Sequence, residues 1–258
     1  MILERLYQVD LAILYPVVII LIVAAAKVGH LIGLRVRRRE PKGADLGTLA
    51  GAALGLLGLL LAFSFSIALS RYEARRTLVL EEANAIGSTA NFALMLPAPD
   101  QEPILALLRE YTAVRVMLGI PFDPPKLEQD IARSLDLQAQ LWRQAVAVTA
   151  AAPQSLPAYR FVASLNEMNN IHERRITALR YHVPAEVTLI LIAVSLLALG
   201  FAGYNAGVTG ARRLWPGLLM SVAVGALIAM EIDLDSPHHG VIEVPNQPLI
   251  DAAQGIPR

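Results

Sequence analysis

The sequence predicts an all-α polytopic membrane protein with four transmembrane helices and a helical extramembrane region between the second and third. Three observations predict it. Hydrophobic residues make up 55% of the 258 positions, above the roughly 45–50% usual for soluble domains. Charged residues are only 17% and gather between apolar runs. Four of those runs approach or exceed the about 20 residues that a helix needs to cross a hydrocarbon core. The mean hydropathy of +0.50 agrees.

The first span is read over residues 11–34, with Lys27 and His30 near one end, where a lysine can snorkel to the interface. It lacks a basic leader and an Ala-x-Ala site, so it is expected to be a retained span and not a signal peptide. The second, 46–69, carries no charge. The third, 187–204, is likewise uncharged. The fourth, 214–230, opens on Trp215 and Pro216, which suit an interfacial helix start. The chain therefore divides into residues 1–70 (the first two spans), 71–183 (extramembrane), 184–232 (the last two) and a polar tail, 233–258.

Residues 71–183 contain no stretch long and apolar enough to cross. From Arg71 to about Leu96 there is no proline and one glycine, Gly87, so the second span is expected to continue as one helix until Pro97, Pro99 and Pro103. A short helix is expected over 104–118, closed by Gly119, Pro121, Pro124 and Pro125. Residues 126–152 and 156–182 read as an antiparallel helix pair around Pro153 and Pro157. No repeat of solenoid length is present.

Lys plus Arg and Asp plus Glu are both 22, so no basic field invites nucleic acid. The absence of cysteine excludes disulfides, thiol catalysis and Cys-bound zinc. The short connections carry Arg35, Arg37, Arg38, Arg39, Lys42, Arg212 and Arg213. The positive-inside rule puts them in the cytoplasm and the extramembrane region outside. Arg71, Arg75, Arg76, Arg174, Arg175 and Arg180 flank the opposite side, diluted in a longer region.

Gly47, Gly51, Gly55 and Gly58 of the second span let another backbone approach closely, and Gly217, Ser221, Gly225 and Ala229 repeat the pattern in the fourth. Packing within the chain and contact between subunits both fit. Leu59, Phe63 and Ile67 recur every fourth residue on one helical face. Such side chains, repeated around an oligomer axis, would form an apolar constriction that gates by dewetting; facing lipid or a neighbouring helix is the plainer alternative. Beyond them, Thr77, Glu81, Asn84 and Ser88 form a polar stripe, and Glu82 shares a face with Arg75 seven residues earlier. Arg75, Glu82 and Asn84 are candidates to line an aqueous vestibule, or else belong to a solvated, salt-bridged face.

Enzyme patterns fail. His172-Glu173 lacks the second histidine of a zinc-protease helix, since Ile176 stands there, and no phosphate loop or nucleophile elbow occurs. No cofactor is expected. Glu231, Asp233, Asp235, His238, His239 and Glu243 form the one dense group of potential metal ligands. Their alternation suits an extended tail, with Asp233, Asp235 and His238 as candidate ligands; an interfacial polar collar is the ordinary alternative.

Phe63-Ser64-Phe65-Ser66, Arg71, Arg75 and Glu82-Ala83-Asn84-Ala85-Ile86-Gly87, followed by Leu96-Pro97, resemble the bacterial bestrophin-like domain family. Ile232-Asp233-Leu234-Asp235-Ser236-Pro237, Gly240 and Gln247-Pro248-Leu249 are similar to that family's C-terminal signature. The resemblance spans nearly the whole chain. It implies kinship with bestrophins, pentameric anion channels with some cation-preferring bacterial relatives, whose second membrane helix carries a Phe- and Ile-rich neck. Phe63 and Ile67 lie in a comparable place. Bestrophins keep the region between the second and third spans in the cytoplasm, whereas the loop charges here favour the outside. Their acidic calcium clasp has only a loose counterpart in residues 233–235.

Two functional readings follow. One is a homo-oligomeric channel for small inorganic ions in the inner (plasma) membrane, with the second helix lining the pore. The other is a non-conducting membrane protein that senses a signal or binds a partner through its extramembrane helices.

Overall fold

The computed structural model describes residues 11–39, 46–118, 123–210, 215–236 and 241–257. Regular structure among them is entirely helical: α1 (Leu11–Arg39), α2 (Gly47–Ala93), α3 (Ala98–Met117), α4 (Pro124–Ala151), α5 (Leu156–Arg180), α6 (Ala185–Thr209), α7 (Trp215–Asp235) and α8 (Gln247–Gly255). Four of these, α1, α2, α6 and α7, are long and apolar enough to cross a membrane. The chain divides into two compact units, residues 1–72 with 182–242, and 73–181 with 243–258.

In the first unit, small residues decide the packing. A Cβ at Gly29 would run into the Gly200 carbonyl oxygen, and one at Gly203 into the carbonyl oxygen of Ala26. α1 and α6 therefore approach backbone to backbone, which glycine alone permits. Gly33 and Gly207 extend this seam against Tyr204 and His30. Val18, Ile22, Leu191, Leu199 and Ile228 fill the surrounding core. α6 stops at Gly210, whose φ of 71° is left-handed, as befits a helix C-cap.

The spans run longer than their apolar runs. α1 continues through Arg37, Arg38 and Arg39 in its last turn, where cations complement the negative end of the helix dipole. α7 continues past Met230 to Asp235, so Glu231, Asp233 and Asp235 are helical and not part of an extended tail.

The second unit is built from residues 73–93 of α2 with α3, α4, α5 and α8. Its core gathers Ile86, Ile104, Leu108, Leu137, Leu141, Phe161, Leu165 and Met168. Prolines occupy the first turns of α3, α4, α5 and α8, where the missing N–H costs no helical bond. α3 accordingly starts at Ala98 and contains Pro103, earlier than the expected start at residue 104. Ser155 caps α5 by accepting from the Ala158 N–H at 3.3 Å. The segment expected as a polar tail instead holds α8, whose Leu249 is fully buried in this core.

Candidate functional site

Leu59, Phe63 and Ile67 stand on α2 with 53%, 61% and 47% of their surface exposed. The opposite side of the same stretch is occupied, since Leu57, Ser64 and Ala68 are buried. Nothing lies within 4 Å of where a Cβ would stand at Gly51, Gly55 or Gly58. The glycine face of α2 is thus uncovered in the single chain, whereas the close glycine contacts are those of α1 and α6. Gly225 of α7 does pack tightly, against Ile19.

Of the three vestibule candidates, Asn84 is exposed, while Arg75 and Glu82 are buried. Glu82 anchors an ionic cluster inside the second unit. Its Oε1 accepts from Arg115 Nε at 2.6 Å and from the Tyr111 hydroxyl at 3.0 Å. Its Oε2 accepts from Arg175 Nη1 at 2.5 Å and Arg115 Nη2 at 3.2 Å. Gln138 Nε2 donates to the Tyr111 oxygen at 3.4 Å, and His172 Nδ1 lies 3.2 Å from it.

A carboxylate only accepts, so the single Tyr111 hydroxyl proton goes to Glu82, and His172 Nδ1 must donate to the tyrosine oxygen. The neutral ring then leaves Nε2 as a lone pair, and that atom is buried without a partner. Burial holds the His172 pKa down at about 4, helped by the Arg115 charge. For Glu82 burial pushes upward, but Arg115 and Arg175 together outweigh it and lower the pKa to about 2. Two guanidiniums against one carboxylate leave a surplus positive charge, which disfavours protonating His172.

The sequence had offered Arg75 as the residue sharing a face with Glu82. Arg115 and Arg175 come instead from 33 and 93 residues away, on α3 and α5. No local spacing points to them. The one available signal was an arginine at a core-facing position of each amphipathic helix.

The acidic end of α7 is equally committed. Glu231 Oε2 accepts from the Ser64 hydroxyl at 3.0 Å. Asp233 accepts from the Tyr15 hydroxyl at 2.9 Å and from the Val241 N–H. Asp235 accepts from the Val183 N–H at 2.8 Å and lies 3.8 Å from His182 Nδ1. These carboxylates tie α7 to α1, α2 and the segment just before α6. No group of three potential metal ligands gathers among the described residues. His238 and His239 lie outside them, as do Gly119, Pro121, Lys42, Arg212 and Arg213.

Residues 20–249 match the bestrophin-like domain family. A comparison with curated proteins found no match. Among solved structures, a bacterial bestrophin homologue from Klebsiella pneumoniae is 14% identical with a TM-score of 0.71, over 92% of this chain and 97% of that one. A single-substitution variant of the Klebsiella pneumoniae homologue gives 15% identity and a TM-score of 0.73, over the same shares. At such identities the likeness establishes the fold.

Proposed function

Because this chain belongs to the bestrophin-like family, we propose that it assembles as a homo-oligomer and conducts small inorganic ions, with α2 lining the path. One observation carries the reading: Leu59, Phe63 and Ile67 form an exposed stripe on a helix whose other side is packed. The uncovered Gly51, Gly55 and Gly58 offer a neighbouring subunit's helix close approach. The bestrophins that the sequence resembles are pentameric anion channels with a comparable Phe- and Ile-rich neck. Repeated around an axis, the three side chains make an apolar constriction that passes ions only when wetted. Of the three vestibule candidates Asn84 is the exposed one, whereas Arg75 and Glu82 are buried. The short connections, rich in arginine, lie in the cytoplasm by the positive-inside rule.

The test is conductance of the purified oligomer in planar bilayers. Phe63→Ala and Ile67→Ala are expected to raise open probability or conductance by removing apolar bulk. Intact, monodisperse oligomers that carry no current across salts and voltages would turn the assignment to partner binding or sensing through the extramembrane helices.

A further inference from the structure

A cavity of about 380 Å³ opens among α1, α2, α6 and α7 within the first unit. Its size falls in the range of about 300–1,000 Å³ typical of small-molecule sites. Leu54, Leu199 and Leu218 contribute to an apolar wall, and the polar side chains are Lys27, His30 and Ser221. Ser221 is spent, since its hydroxyl donates to the Gly217 carbonyl at 2.8 Å. Lys27 and His30, three residues apart, share a face of α1. His30 is only 8% exposed, and its Nδ1 is buried with no hydrogen-bond partner. Among the described residues, no acidic side chain lines the cavity. It therefore pairs an apolar volume with a lysine and a buried imidazole whose Nδ1 has no partner.

We propose that this cavity is a site for an anionic phospholipid, one acyl chain lying against Leu54 and Leu199 and the phosphate against Lys27 and His30. The wall belongs to membrane-spanning helices, so the bilayer itself supplies the occupant. The phosphate oxygens accept from the Lys27 ammonium, a charge-assisted bond, and from a ring N–H of His30, an arrangement that a zwitterionic headgroup satisfies less well. Apolar burial of the chain supplies the remainder of the binding. The site is independent of whether the protein conducts.

The experiment reconstitutes full-length protein in nanodiscs of mixed phosphatidylglycerol and phosphatidylcholine. The lipids that survive mild detergent exchange are then counted by native mass spectrometry. Wild type is expected to retain phosphatidylglycerol with about fivefold preference, the discrimination expected of one lysine beside an anionic headgroup. Lys27→Gln, at an exposed position, loses the preference. Ala206→Phe, which fills the cavity, loses retention of both lipids; Leu218→Trp, from an exposed position on the wall, serves the same purpose should that variant not fold. Equal retention of the two lipids by wild type overturns the proposal, as does undiminished retention in a folded cavity-filling variant. Displacement of the lipid by inorganic phosphate alone would reassign the cavity as a free-anion site.

Discussion

Glu82 and Arg175, 93 residues apart, meet inside the second unit with 2.5 Å between Oε2 and Nη1. Arg115 closes on the other carboxylate oxygen at 2.6 Å. The three charges link α2, α3 and α5 where hydrophobic packing alone would leave their register less defined. Removing one member strands the others in a medium that solvates them poorly.

Glu82→Ala is therefore expected to destabilise the protein by about 3–5 kcal/mol, the usual cost of breaking a buried ion pair from one side. Glu81→Ala, one position away and only half-buried, faces Arg174 at 3.5 Å across an exposed pair and should cost about 1 kcal/mol or less. Thermal or denaturant unfolding of the two variants side by side measures the contrast.

Acid should act in two stages. The folded His172 pKa is depressed from 6.5 to about 4, so between these values the unfolded chain binds a proton that the folded chain refuses. Stability present above pH 6.5 is lost as pH falls through about 4. Glu82, depressed from 4.5 to about 2, repeats the loss at lower pH. Melting temperature followed from pH 7 to 3 should fall, and His172→Gln should flatten the upper part of the curve. A variant curve parallel to wild type between pH 6.5 and 4 would remove His172 from the account.

The two glycine sets should respond differently to bulk. Gly203→Leu must push α6 away from the Ala26 carbonyl and is expected to lower stability by at least the about 1–3 kcal/mol typical of overpacking. A Cβ at Gly55 meets nothing within 4 Å, so Gly55→Leu should leave the melting of the dissociated protomer unchanged. If α2 faces a second subunit, the same change weakens assembly, read by size-exclusion light scattering.

Sidedness is open to direct labelling, because the chain has no cysteine of its own. Arg38→Cys, in the exposed last turn of α1, and Asn84→Cys, exposed on α2, should react with a membrane-impermeant maleimide from opposite sides. Intact cells should label Asn84→Cys and spare Arg38→Cys. The reverse pattern would put the extramembrane helices in the cytoplasm, as in bestrophins.

The four spans, the long α2 and the helical character of residues 73–181 were legible from one dimension, because apolar run length and proline placement act locally. Leu59, Phe63 and Ile67 share a face through helical periodicity alone, and their exposure agrees with that pattern. The glycine motifs were visible, but which of them packed was not. The sequence singled out Gly47, Gly51, Gly55 and Gly58 and the set around Gly225; of these Gly225 packs against Ile19, while the closest backbone contacts are made by Gly29, Gly33, Gly203 and Gly207, because helix partners are chosen by surfaces far apart in the chain.

Sequence alone determined where the chain is helical and which segments lipid can tolerate, since hydropathy and backbone preference depend on neighbours within a turn or two. Only the tertiary structure decided that Glu82 is buried between Arg115 and Arg175. It also decided that Glu231, Asp233 and Asp235 accept from Ser64, Tyr15, Val183 and Val241, and that Lys27 and His30 border a cavity. Those outcomes depend on which distant donor or acceptor reaches a buried group first. A charge in a low-dielectric interior is defined by its partners, and partners 33 to 93 residues away leave no periodic trace in the sequence.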